Sequence, residues 1–82
     1  MDTHDFDDGS GPVPAARHVN PMGDLGGWVA ATAYVAPWVW LDPDAEVFGT
    51  ARVTAGAMVY GRIGGASVVE DGGRLIFDFP VV

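Results

Sequence analysis

Few residues in this chain have side chains suited to acid–base catalysis or nucleophilic attack. The chain has two histidines, His4 and His18, two serines, Ser10 and Ser67, and no cysteine. A general base must first lie within hydrogen-bond reach of the proton that it removes, and Asp24 is placed to orient the His18 ring. Neither serine lies in a nucleophile motif, and His4 belongs to an acidic tail of the kind that is usually solvated. We therefore predict no catalytic, cofactor-binding or metal-binding residue and a protein that is not an enzyme.

A six-residue repeat organises residues 29–64, which read VAATAY VAPWVW LDPDAE VFGTAR VTAGAM VYGRIG. Positions one and five of every hexad are aliphatic, and position three is always alanine, proline or glycine. Every charge in the stretch lies outside the two aliphatic columns. These columns are the predicted core, which comprises Val29, Ala33, Val35, Val39, Leu41, Ala45, Val47, Ala51, Val53, Ala57, Val59 and Ile63.

A period of six matches neither the 3.6 of a helix nor the 2 of a simple strand. Because side chains alternate across a strand, position five and the next position one face the same way. Glycine and proline suit the corner at position three. A corner every six residues closes a triangle every eighteen, so successive circuits stack as parallel strands.

The repeat resembles that of the hexapeptide-repeat proteins, whose fold is a left-handed parallel β-helix. The segment Gly23-Asp24-Leu25-Gly26-Gly27-Trp28-Val29 is also similar to the GDLGGWV lead-in of small bacterial and phage members of that family. The resemblance covers residues 23–64. It implies an all-β fold with about two triangular circuits, and trimers with the prisms side by side. Many family members are acyltransferases with a histidine on the circuits, but both histidines here precede the first circuit.

The rest of the chain divides around the repeat. Residues 1–12 are acidic and then rich in glycine, which predicts a flexible arm. Residues 13–27 form the lead-in and N-terminal cap, with a short strand at Ala15–Val19 and Leu25 plugging the core, and residues 28–64 are the β-helix. Residues 65–82 form a cap: either a hairpin of Ala66–Glu70 and Arg74–Phe79 around Asp71-Gly72-Gly73, or a degenerate third circuit.

Charge and composition exclude several partners. The formal net charge is −7, and the four cations are all arginine. An acidic chain disfavours nucleic acid and anionic membranes as partners. There is no run of 18 apolar residues, and the first residues lack the basic and apolar regions of a signal peptide. We expect a protein of the cytoplasm, or of a virion assembled there.

One outer face of the predicted triangle is unusually apolar. Residues eighteen apart stack, so Trp40 lies over Met58 and a third circuit would add Ile76, with Trp38 and Tyr60 beside them. Exposed aromatic and methionine side chains are typical of interfaces. The predicted interface therefore comprises Trp38, Trp40, Met58, Tyr60 and Ile76.

This apolar face favours a non-catalytic assembly protein that self-associates as a trimer. A larger assembly such as a capsid is a further partner that we expect. The setting that the resemblance implies is a phage or bacterial accessory protein, such as a virion decoration component. Three alternatives remain open from the sequence. The face could bind a protein or a glycan, a terminal segment could fold back over it, or the chain could be a minimal acyltransferase that uses His18.

Overall fold

A computed structural model of the protein describes residues 2–54, 58–66, 68–69 and 74–78, which contain ten strands and no helix. The strands are β1 Asp2–Asp5, β2 Pro12–Val19, β3 Leu25–Ala30, β4 Tyr34–Val35, β5 Trp40–Leu41, β6 Glu46–Val47, β7 Arg52–Val53, β8 Met58–Ile63, β9 Val68–Val69 and β10 Arg74–Asp78. The fold is therefore all-β, as the sequence predicts. Within these residues, nothing forms a helix long and apolar enough to span a membrane.

The hexad region winds as a series of parallel circuits. Strands β3, β4 and β5 make the first circuit, and each pairs in parallel with the strand that lies 18 residues later. Strands β6, β7 and the start of β8 make the second circuit. The rest of β8, β9 and β10 follow as a third circuit and again pair in parallel. The spacing of eighteen between the first two circuits agrees with the hexad prediction.

The spacing falls to 16 residues between the second and third circuits. Glu46 pairs with Arg62, and Arg52 pairs with Val68. The cause is β8, which runs unbroken and pairs with β5 at its start and with β6 at its end. Ile63 consequently pairs with Val47, a position-one residue, although the hexad register assigns Ile63 to position five. The repeat is therefore two residues shorter at β8, and the sequence pattern does not reveal this shortening.

The predicted C-terminal hairpin is wrong for the residues that the structure describes. Strand β9 pairs with β7, and β10 pairs with β8, both in parallel, rather than with each other. The alternative of a third circuit agrees with this pairing. The predicted turn at Asp71-Gly72-Gly73 and the residues from Phe79 onward lie outside the described residues. The shortened circuit explains the error, because a strict period of six places Asp71 at an inward position.

The N-terminal segment is an antiparallel sheet that joins the parallel stack. Strand β1 pairs with β2, β2 pairs with β3, and β3 continues into the first circuit, so the larger sheet is mixed. The prediction of a flexible acidic arm is therefore wrong for residues 2–5, which form β1. The Phe6 side chain explains the docking, since it is 1% exposed and packs with Ala15 and Phe48.

The turn between β2 and β3 contains Asn20 to Asp24. The Asn20 N–H donates to the Asp24 carbonyl (2.8 Å), and Gly23 has φ +94°, which favours glycine. The predicted strand at Ala15–Val19 is present within the longer β2. Leu25 does not plug the core as predicted. It starts β3 opposite Val19 and is 53% exposed, because its strand pairing turns it away from the circuits.

The main core lies inside the circuits. The buried members of the predicted columns are Val39, Leu41, Ala45, Val47, Ala51, Val53, Val59 and Ile63, joined by Ala36. Val29, Ala33 and Val35, all in the first circuit, are half-buried and pack against this cluster. Ala57 lies outside the described residues. Alanine at position five keeps this core narrow.

The corners stack closely from one circuit to the next. Gly49 and Gly65 have φ of +68° and +65°, and a Cβ on Gly49 would lie 2.8 Å from the Gly65 carbonyl oxygen. The hydroxyl of Thr32 donates to the Gly49 carbonyl, and that of Thr50 to the Gly65 carbonyl. These contacts tie each corner to the one beneath it.

The two glycines allow crowding to be separated from backbone strain. A Cβ on Gly65 would meet nothing within 4 Å, although its φ matches that of Gly49. We expect Gly65→Ala to lower the free energy of unfolding by about 1 kcal/mol through strain alone, and Gly49→Ala by about 2–4 kcal/mol because overpacking is added. Urea denaturation followed by tryptophan fluorescence measures both values. Equal losses would contradict the close stacking of these corners.

Candidate functional site

Four of the predicted interface residues lie together on β5 and β8 and the corner before them. Trp40 and Met58 are paired residues of adjacent strands, and the Trp40 and Tyr60 rings lie 5.5 Å apart at 57°. Trp38 is 58% exposed and Met58 is 43% exposed, while Trp40 and Tyr60 are partly buried. We call Trp38, Trp40, Met58 and Tyr60 the aromatic face.

Trp38 has a fixed position at the edge of this face. Its indole Nε1–H donates to the carbonyl of Thr54, with 2.8 Å between the atoms. Thr54 directly follows β7, so the ring reaches from the corner before β5 towards the neighbouring side of the circuits. A large apolar ring is thus held in solvent by a hydrogen bond rather than by packing alone.

Ile76, the fifth predicted interface residue, does not continue the column of Trp40. Its register partner on β8 is Tyr60, and Arg74 is the residue that pairs with Met58. The shift of two residues comes from the shortened third circuit. The side chain of Ile76 lies outside the part of the structure that is described.

The N-terminal arm covers a different side of the circuits. The His4 ring stacks on Trp28, with 4.8 Å between centroids, and the Phe6 ring lies 5.4 Å from that of Phe48. His4 Nε2 is 2.6 Å from Glu46 Oε2. The sequence left open whether a terminal segment folds back over the aromatic face. Residues 2–6 instead lie over the column that begins with Trp28.

Arg62 links the arm to the same column. Its Nη2 donates to the Phe6 carbonyl, and its Nε lies 3.0 Å from Glu46 Oε1 as an ion pair. The guanidinium also lies 4.9 Å over the Phe48 ring. Partly exposed pairs such as this contribute modestly to stability. The arm is therefore held by aromatic packing first and by charge second.

A second exposed aromatic side chain lies on the remaining side of the circuits. Tyr34 is 42% exposed, and the exposed Arg52 guanidinium lies 5.3 Å over its ring. The spacing of eighteen already places these two residues in one column.

The candidate general base, His18, is buried and has a structural partner. Its Nε2 lies 2.7 Å from the Val39 carbonyl oxygen, to which it donates. Asp24 does not orient this ring but accepts a hydrogen bond from the Asn20 side chain (3.0 Å). Across the described residues, no group of three or more metal-ligating side chains is arranged to hold an ion.

Asn20, which the sequence did not single out, caps the edge of β5 that faces away from β8. Its Oδ1 accepts from the Leu41 N–H (2.8 Å), and its Nδ2 donates to the Leu41 carbonyl (3.0 Å). The side-chain amide thereby replaces a neighbouring strand. With His18 on Val39, it satisfies backbone groups that would otherwise be buried without partners. The signal in the sequence was an asparagine directly before a glycine-rich turn, which local reasoning assigns to the turn itself.

Comparison of the chain with protein-family models, with curated proteins and with solved structures returns no match.

The amide cap on β5 generates a stability prediction. Asn20→Ala leaves the N–H and C=O of Leu41 without their partners, and we expect a loss of about 2–4 kcal/mol in the free energy of unfolding. Asp24→Ala is the matched control, since it removes one hydrogen bond to Asn20 and leaves both bonds to Leu41, at a cost of about 1 kcal/mol. Amide hydrogen exchange locates the effect. A Leu41 amide as protected in Asn20→Ala as in the unaltered chain would refute the cap.

The contribution of Phe6 to holding the arm can be measured by substitution. Phe6→Ala removes the one buried ring of the arm, and we expect a loss of about 3–5 kcal/mol together with loss of hydrogen-exchange protection in β1. Met22→Ala is the control, because Met22 is 89% exposed on the β2–β3 turn. If β1 stays protected in Phe6→Ala, strand pairing rather than Phe6 holds the arm.

Proposed function

We propose that this protein is a non-catalytic structural or assembly protein of the left-handed, hexapeptide-repeat β-helix type, and that it forms trimers through the aromatic face. The setting that we propose is a phage or bacterial accessory protein, such as a virion decoration component. The setting and the trimer rest on the resemblance of the repeat and its GDLGGWV lead-in to that family.

The observation that supports self-association most directly is the exposure of Trp38 and Met58 on a side that the described residues leave uncovered. By contrast, the arm of the same chain covers Trp28 and Phe48 on another side of the circuits. Tryptophan, tyrosine and methionine are enriched in interface cores, where a few such side chains dominate the binding free energy. In a trimer of prisms placed side by side, each aromatic face would meet a neighbour.

Two further features support a role without catalysis. The core is narrow, and a chain of 82 residues buries a small share of its surface alone, so association would add stability. His18 is committed to the Val39 carbonyl and is buried. Its Nε2 is therefore occupied by a structural hydrogen bond.

A second candidate function is a binding module for a glycan or a protein that uses the same face. The hydrogen bond from Trp38 to Thr54 holds the indole in place, and a fixed aromatic ring is a suitable platform for stacking. This candidate requires a monomer in solution, whose tryptophan fluorescence responds to glycans.

Solution mass distinguishes the two candidates. We expect sedimentation equilibrium of the unaltered chain to give three times the chain mass, and Trp38→Glu to give the single-chain mass because a charge is buried in the contact. Val68→Glu adds the same charge at a residue of β9 that is 56% exposed and belongs to the other sheet, and it should stay trimeric. Circular dichroism confirms that both variants are folded. A monomeric unaltered chain at about 0.1 mM would rule out the trimer, and a monomeric Val68→Glu would place the contact elsewhere.

A further inference from the structure

The three strands of the first circuit are not equally covered on the side that faces away from the second circuit, which we call the upper side. Strand β3 is paired there with β2. Strand β5 is capped by Asn20, whose side-chain amide bonds both backbone groups of Leu41. Strand β4 has one strand neighbour within the described residues, β7, and is therefore the edge of its three-stranded sheet.

The backbone of β4 presents hydrogen-bonding groups to this open side. The N–H groups of Tyr34 and Ala36 donate downward to the carbonyls of Ala51 and Val53, each at 2.9 Å. Successive residues of a parallel strand turn their backbone groups to opposite sides. The N–H and C=O of Val35 consequently face away from β7, and a strand laid beside β4 would meet both.

The space beside β4 is a groove of about 290 Å³ between this strand and β2, lined by residues 16–19, 29–31 and 33–35. Val29, Ala33 and Val35 point inward, yet they are half-buried, whereas Val47 and Val53 in the next circuit are fully buried. The upper end of the core is therefore exposed in this groove. A small aliphatic side chain would complete it.

The charges around the groove favour an acidic partner. Arg17 is among the lining residues, but its Nε donates to the Gly26 carbonyl (2.6 Å) and its guanidinium lies over the Trp28 ring. The cation that remains available is Arg52, whose guanidinium lies over the ring of Tyr34, a lining residue. Among the described lining residues there is no acid. Arg52 is exposed, and the contact that the structure gives it is a ring rather than a carboxylate. An acidic side chain on the outward face of a docked strand would lie within its reach.

We propose that the groove binds an extended acidic peptide segment of another protein, which adds a strand to β4. Its backbone would pair with Val35, its inward side chains would be small and aliphatic, and its outward side chains would be acidic. Strand addition of this kind takes affinity from backbone hydrogen bonds and specificity from alternate side chains. A second folded copy fits less well, because β2 forms the far wall of the groove and an intact sheet edge cannot enter. The site is separate from the aromatic face and does not depend on the proposed function.

The test is a titration of the full ¹⁵N-labelled chain with a capped peptide of sequence Gly-Asp-Val-Thr-Val-Asp-Gly, monitored by amide chemical shifts. We expect saturable shifts at Tyr34, Val35 and residues 16–19. The same titration is then made with two N-methylated versions of the peptide. One carries methyl groups on the backbone nitrogens of both valines, and the other carries them on those of the threonine and both aspartates. Because alternate N–H groups of a strand point to opposite sides, one version should bind and the other should bind at least tenfold more weakly. A version with lysine for aspartate should also bind at least tenfold more weakly.

Three variants of the chain assign the site. Val35→Pro removes the N–H on the open side of an edge strand, where proline is tolerated, and should weaken binding at least tenfold. Val35→Thr keeps the N–H and the branched shape and should bind within about threefold of the unaltered chain. Arg52→Ala should reduce the preference for the acidic peptide over the lysine version. The proposal is overturned if no shifts occur at β4, if both N-methylated peptides bind equally, if shifts map to Trp38 and Trp40, or if the groove is filled by a second copy through β4.

Discussion

Close stacking of the circuits is the constraint on which the rest of this fold depends. Where Gly49 lies over Gly65, there is no room for a side chain, and the alanines at position five keep the interior just as tight. Most strands of the first two circuits are two residues long, so each makes few hydrogen bonds. A narrow core with short strands buries little apolar area per residue. Stability must then be gained at the ends and on the outer faces of the circuits.

The N-terminal third of the chain provides much of that additional stability. Strand β2 extends the sheet above β3, the Asn20 amide completes β5, and the arm brings Phe6 and His4 over the column of Trp28. An acidic segment rich in glycine would ordinarily be too poor in apolar groups to order. Here one buried phenylalanine and one stacked histidine suffice, because the strand pairing with β2 positions both.

The period of six was enough to predict an all-β fold, the parallel pairing eighteen residues apart and the set of inward residues. It left a third circuit as one of two alternatives and could not predict its register, since the unbroken course of β8 removes two residues where the chain still reads as a hexad around Gly61. It also could not predict the arm, because the contact between His4 and Glu46 joins residues 42 apart in sequence. The role of Asn20 was not predicted for the same reason. Its side-chain amide bonds the backbone N–H and C=O of Leu41, 21 residues away, as a neighbouring strand would. Trp40 and Met58 were predictable as neighbours because they lie within the regular part of the repeat.

Coverage by the same chain separates two groups of aromatic side chains in this protein. Trp28 and Phe48 are as apolar as Trp38, yet they have a cover from the same chain and therefore need no partner. Trp38 is instead held in solvent by its bond to Thr54, and the open edge at Val35 lies in a groove with cations nearby. These two surfaces differ in chemistry, one being a broad apolar contact and the other a narrow slot with backbone donors and acceptors. A side-by-side contact through the first would leave the second free, because the second lies at the end of the circuits. Assembly and the capture of a peptide are therefore compatible in one small chain.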